Sequence, residues 1–358
     1  MTLQEIIRQI RPADPVAARA ARRRWDSLAK PLGSLGVLED DITAIAAVTG
    51  REEVRLDRRR LLVFCADNGV VRRGVSQSDE RVTAAVAAAL GRGESTVNYM
   101  AVRTGVPVVP VDAGMCMPAP EGVLDCKIRP GTADITRGPA MTREECEDAV
   151  MLGARLAGAG DGDHILLLGE MGIGNTTTAA AVACVLLGRE PEELVGRGAG
   201  LSDDALVRKT EAVRRAIRTN RPDPGDPVEV LRTVGGLDLA ALCGACLGAA
   251  SHRIPVLLDG VITNAAALCA ARLCPAARDA MIASHVSAEP AAELLLQALE
   301  LKPCISADLR MGEGSGSLLA LSLLEQALAV YNSGHTFEAL GIRPYERQYA
   351  EGESPCLP

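Results

Sequence analysis

Two glycine-rich turns carry the carboxylates that stand out in this sequence: Gly169-Glu170-Met171-Gly172-Ile173-Gly174 and Met311-Gly312-Glu313-Gly314-Ser315-Gly316. Each follows an apolar run and opens an Ala- or Leu-rich stretch, the first through Asn175-Thr176-Thr177-Thr178. A glycine turn entering a helix offers backbone N–H groups and the positive end of the helix dipole, a setting that suits phosphate. A third turn, Gly196-Arg197-Gly198-Ala199-Gly200, precedes a helix that starts near Ser202 and carries Lys209. One such turn is as readily a tight connection that needs positive φ. Three of them at strand-to-helix junctions point to a phosphorylated ligand. No Gly-Lys-Ser/Thr follows any of them, and the first reads G-x-x-G-x-G, so neither the P-loop nor the dinucleotide fingerprint is present. A carboxylate inside such a turn is placed to take a proton or to stabilise positive charge on a neighbouring part of the ligand. The alternative is that Glu170 and Glu313 each cap the helix that follows or face water.

The other reactive side chains read as structural. Cys243 and Cys246 share one helix face but lack a second ligand pair, so a buried face is expected and no metal. His285 reads as a polar loop residue, His252 as a helix-end residue, and the runs Arg22-Arg23-Arg24 and Arg58-Arg59-Arg60 as solvated faces.

Near-continuous apolar runs at Leu61–Ala66, Val106–Val111, His164–Leu168, Ile254–Leu258, Met281–Ala283 and Ile305–Leu309 have the pattern of parallel strands buried on both faces. Between them lie helical stretches at Val82–Leu90, Glu144–Ala157, Thr177–Leu187, Asp203–Arg218, Leu237–Ala250, Ile262–Leu273 and Ser317–Val330. The alternation predicts a Rossmann-like open parallel α/β sheet with helices on both faces, in which ligands collect beyond the carboxyl ends of the strands. The first sixty residues read instead as helices, Leu3–Ile10, Val16–Leu28 and Gly36–Thr49. The expected division is a small helical domain over 1–58, joined by 332–358, and a larger domain over 59–331.

Composition narrows the function. Among 358 residues, Asp and Glu number 46 against 38 Lys and Arg, a net charge of −8, and aromatics are 2%. Nucleic-acid binding through a basic stripe or base stacking is therefore not expected. The charged N-terminus has no apolar signal core and no membrane span is found, so the expected location is the cytoplasm. Eleven scattered cysteines then behave as small buried hydrophobes.

Taken together, Lys30-Pro31-Leu32-Gly33-Ser34-Leu35-Gly36-Val37-Leu38-Glu39, Ala66-Asp67-Asn68-Gly69-Val70, the Gly169–Thr177 turn, Gly196-Arg197-Gly198, Val234-Gly235-Gly236-Leu237-Asp238, Leu258-Asp259-Gly260, Ser284-His285 and Met311–Gly316 resemble nicotinate-nucleotide–dimethylbenzimidazole phosphoribosyltransferases. The likeness runs in order from about residue 25 to 337. It implies transfer of the phosphoribosyl group of nicotinate mononucleotide to 5,6-dimethylbenzimidazole with inversion, giving α-ribazole 5′-phosphate and nicotinate in cobalamin biosynthesis. It also implies a homodimer that needs no metal, and no cofactor is expected. By this resemblance Glu313 is the general base, Glu170 lies in the same site, and Gly172, Gly174, Asn175, Gly200, Lys209, Gly312 and Gly314 surround the ligands. Ser76 and Gln77 stand near the acceptor base. Asp79, Glu80 and Arg81 depart from the more apolar or proline-containing stretch usual in the family at that place. A non-catalytic nucleotide sensor on the same fold, and a sibling transferase using adenine, phenol or another benzimidazole, are the alternatives.

Overall fold

The computed structural model describes residues 2–160 and 162–346. Three helices come first: α1 (Leu3–Gln9), α2 (Pro15–Ser27) and α3 (Val37–Thr49). Then follow β1 (Arg59–Ala66), a 3₁₀ turn (Gly69–Arg73), α4 (Glu80–Arg92), α5 (Thr96–Thr104), β2 (Val108–Gly114), β3 (Leu124–Asp125) and α6 (Arg143–Gly158). The middle of the chain holds β4 (Ile165–Met171), α7 (Asn175–Leu187), α8 (Pro191–Leu194), α9 (Asp203–Asn220), α10 (Pro227–Val234) and α11 (Leu237–Ser251). The last part has β5 (Val256–Leu258), α12 (Val261–Leu273), β6 (Met281–Ala283), β7 (His285–Val286), α13 (Ala291–Ala298), β8 (Ile305–Ser306) and α14 (Ser315–Tyr331).

Six strands form one parallel sheet in the order β3-β2-β1-β4-β5-β6. This is the doubly wound order, whose direction reverses between β1 and β4 and so opens a crevice at their carboxyl ends. The pleat sends successive side chains to opposite faces. Leu62, Phe64 and Ala66 of β1 join a core with α1, α6, α7 and α10 to α12, while Leu61, Val63 and Cys65 join a second core with α2, α3 and α14. Burial on both faces is why the strands read as continuous apolar runs rather than alternating ones.

The expected strand over Ile305–Leu309 does not enter this sheet. Only Ile305 and Ser306 are extended, and they pair with His285 and Val286 in a separate two-stranded ribbon. The turn holding Glu313 therefore follows irregular chain rather than a sheet strand. The Arg58–Arg60 run is a solvated face only at Arg58: Arg59 pairs with Glu325 and Arg60 with Asp163 at 2.6 Å, both largely buried, which neutralises them at the start of β1.

The early helices meet the end of the chain. Leu28 and Thr336 form an antiparallel bridge, Phe337 N donates to Ser27 O at 3.1 Å, and the Trp25 and Tyr331 rings lie 5.0 Å apart. Ile6 and Ile10 pack into the same core as β1 and α11. Residues 347–358 of the expected C-terminal contribution lie outside the described residues.

Candidate active site

At the carboxyl ends of β1, β4 and β5 lies a cavity of about 250 Å³, lined by Val75–Gln77, Glu170–Thr176, Arg197–Ala199, Leu201, Asp259–Ile262, His285, Ser287, Glu289 and Arg310–Glu313. It brings together Ser76, Gln77, Glu170, Gly172, Gly174, Asn175, Gly312 and Glu313. Gly200, Lys209 and Gly314 do not line it.

Glu170 is not in a turn. It is the sixth residue of β4, buried, and its Oε2 accepts from Asn175 Nδ2 at the first turn of α7. Burial, and then the charges of Asp238 and Asp259, push its carboxyl well above the usual range. Asp238, fully buried at the start of α11, is itself pushed up to about 6 by burial. Gly172 faces this cluster, and a methyl there would crowd Ala66 O and Asp238 Oδ2.

Glu313 stands in the left-handed region at φ 60°, between Gly312 at 80° and Gly314 at 88°. Its Oε2 is shielded from solvent and accepts no hydrogen bond. Burial, then the neighbouring charge of Asp259, raises its pKa. Neither carboxylate caps a helix: Gly174 and Gly314 are the N-caps of α7 and α14, and neither makes a side-chain cap bond. The capping alternative fails for both.

Two residues that sequence reasoning missed support this turn. Asp259, just beyond the carboxyl end of β5, accepts from Gly316 N at 2.7 Å and from Gly314 N at 3.1 Å. His285 is buried in β7, not in a polar loop, and fills the space where a methyl on Gly316 would sit. Burial holds the imidazole below its ordinary pKa against the pull of Asp259, while burial raises Asp259 against the pull of His285. The Leu258-Asp259-Gly260 step from apolar run to turn was the available signal for Asp259. The burial of His285 depends on partners far along the chain.

The third glycine turn is held from below. Lys209 is fully buried in α9 and donates to Gly196 O at 2.8 Å and Thr176 Oγ1 at 2.9 Å. Burial lowers its pKa to about 8. From the cavity side Glu289 Oε1 accepts from Gly198 N at 2.8 Å. Gln77 reaches across to donate to Gly200 O, and so ties the segment after the 3₁₀ turn to this turn. Gly314 N faces Asp259, so that glycine braces the loop from behind. Asp79, Glu80 and Arg81 do not reach the cavity, because Asp79 caps α4 through Arg81 N and pairs with the Arg81 side chain.

Two carboxyl groups, a glycine turn over a buried ammonium, and apolar walls from Val75, Ile173, Val261 and Ile262 can hold a phosphorylated sugar beside a flat heterocycle and move one proton. Known proteins agree. A family described as "Phosphoribosyltransferase" matches residues 10–342. The nicotinate-nucleotide–dimethylbenzimidazole phosphoribosyltransferase of Ruminiclostridium cellulolyticum is 41% identical over 97% of this chain and 99% of its own. That of Acetivibrio thermocellus is 44% identical over 91% and 94%. The crystal structure of CobT from Thermus thermophilus superposes with a TM-score of 0.87 at 40% identity, covering 92% of this chain and 99% of that one.

Proposed function

We infer the chemistry from kinship and geometry together: the chain belongs to the nicotinate-nucleotide–dimethylbenzimidazole phosphoribosyltransferase family and is an enzyme, a pentosyltransferase. It transfers the 5-phosphoribosyl group of nicotinate mononucleotide to 5,6-dimethylbenzimidazole, releasing nicotinate and α-ribazole 5′-phosphate. The lone pair of one benzimidazole nitrogen forms the new bond to C1′ as the bond to the pyridinium nitrogen breaks. The departing nicotinate keeps that electron pair, so no acid is needed on its side. Attack from the opposite face inverts β to α. The second benzimidazole nitrogen must then lose its proton, and Glu313 is the group we assign to take it.

The observation that carries this assignment is the unpartnered Glu313 Oε2, held at a cavity wall in a backbone conformation that only its flanking glycines and Asp259 make tenable. Its raised pKa makes it a stronger proton acceptor than an ordinary exposed carboxylate. Burial and the flanking acids push the Glu170 carboxyl toward its neutral form, which lessens its repulsion of a phosphate. Lys209 acts through the Gly196–Gly200 turn, supporting its backbone from beneath. Gly172, Gly174, Asn175 and Gly312 frame the sugar phosphate, and Ser76 and Gln77 face the incoming base. Holding both heterocycles on one ribose supplies the entropic share of the rate.

The Glu313→Gln variant tests the reading. Release of nicotinate from nicotinate mononucleotide and dimethylbenzimidazole falls by ~10²–10⁴-fold, while calorimetric binding of nicotinate mononucleotide persists. Wild-type turnover in this variant overturns the assignment. Offering adenine, phenol and other benzimidazoles in competition identifies the preferred acceptor.

We also propose that the protein acts as a homodimer in the cytoplasm. Helix α5, which packs on α14, leaves Tyr99 and Val102 68% and 78% exposed, and α14 leaves Leu319, Leu323 and Val330 exposed, apolar residues that a second copy can cover. Among the described residues ten cysteines are free thiols, in keeping with a reducing compartment, and no helix is long and apolar enough to cross a membrane. Light scattering should report twice the chain mass of 37.4 kDa.

A further inference from the structure

A second cavity, of about 680 Å³, opens between the 3₁₀ turn Gly69–Arg73 and the segment after β3, and it shares no lining residue with the active cavity. Four guanidinium groups line it: Arg72, Arg73, Arg129 and Arg137. Two have carboxylate partners. Arg73 holds Asp134 Oδ2 at 2.6 Å, and Arg129 holds Glu145 Oε2 at 3.0 Å. Arg72 and Arg137 are exposed and pair with no carboxylate among the described residues. The buried Nε of Arg129 donates to nothing. Two positive charges are thus left over in one groove of a chain whose net charge is −8.

We propose that this groove is a second anion site that takes a small phosphorylated metabolite. The guanidinium fork matches phosphate oxygens two at a time, and converging forks select a compact polyvalent anion over a single carboxylate. The volume is that of a small-molecule pocket. Its wall is fixed in advance: Thr136 donates to Asp134 Oδ1 from both N (3.0 Å) and Oγ1 (2.7 Å), Thr132 N donates to Asp67 O at 3.0 Å, and Asn220 Nδ2 donates to Ile135 O at 2.8 Å. The chain that carries Arg137 and the Asp134 carboxylate beside Arg73 is therefore already placed before an anion arrives. A nucleic acid would need a longer basic track than four arginines on one short groove.

The test is calorimetric titration of the full chain with inorganic pyrophosphate in 50 mM salt, with nicotinate mononucleotide saturating the active cavity. The wild type should bind one pyrophosphate per chain. Arg72→Ala/Arg137→Ala should weaken this about tenfold or more, as loss of two charge-assisted contacts requires, and leave the KM for nicotinate mononucleotide unchanged. Arg103→Ala/Arg215→Ala, which removes the same charge from exposed positions elsewhere, should leave pyrophosphate binding intact. No saturable binding by the wild type, equal binding by the groove variant, or equal weakening by the control variant would each overturn the proposal.

Discussion

Glu313 is held in a conformation that a non-glycine residue adopts at a cost of roughly 1–2 kcal/mol. Asp259 offsets that cost by accepting from the amides of Gly314 and Gly316, which follow Glu313 closely in the same turn. The same carboxylate is the charge that raises the pKa of Glu313 after burial. In Asp259→Asn that repulsion is gone, so Glu313 loses its proton at lower pH and the acid limb of the kcat/KM profile moves down. The looser turn should also lower kcat by about 10–100-fold, a range typical of a misplaced catalytic group, with nicotinate mononucleotide still bound. A pH profile recorded beside the wild type decides it, and an unmoved acid limb would show that Asp259 does not act on Glu313. At this scale the sequence was partly legible. Glu170 and Glu313 stood out because acids among glycines are conspicuous. His285 did not, because only the approach of Asp259 and Gly316, each about 26 to 31 places away in the chain, makes it a buried group.

Parallel strands buried on both faces leave a clear mark, and β1, β4 and β6 lie close to where apolar runs placed them. Elements without such a mark were missed. In α5 the exposed Tyr99 and Val102 blur the helical period, while α10 follows the Pro- and Asp-rich link at 222–227 and α13 is only eight residues long. The apolar run at 305–309 misled because a short run looks alike in a sheet and in a ribbon. One helix contact was also invisible in periodicity. Helices α6 and α11 cross so closely that a methyl on Gly244 would overlap the Val150 carbonyl, and one on Gly153 the Ala241 carbonyl. Gly244→Ala should therefore destabilise the fold by about 1–3 kcal/mol despite the higher helix propensity of alanine. Urea unfolding measures this, and a stabilised variant would show that the helices can part at no cost.

Over the whole molecule, two buried groups tie stability to pH in opposite senses. Asp41 of α3 is raised to about 8 by burial, then by Asp40, and its Oδ2 has no partner. Between about pH 4 and 8 the unfolded chain has released this proton while the folded chain keeps it, so stability falls as pH rises. Asp41→Asn should remove that slope and gain on the order of 1–3 kcal/mol over the wild type by about pH 8, with little difference near pH 4. Denaturant midpoints across this range test it, and parallel curves for the two proteins would refute it. Lys209, lowered to about 8 by burial, works the other way: above pH 8 the unfolded chain still holds a proton that the folded chain has lost, so stability rises toward pH 10.5.

The meeting of Trp25 with Tyr331 and of Ser27 with Phe337 sets a timetable for synthesis. The first helices emerge from the ribosome some three hundred residues before their packing partners exist. Until α14 and Phe337 have been translated, Trp25 and Leu28 lack these partners, and that side of the early helices stays open to chaperones and proteases.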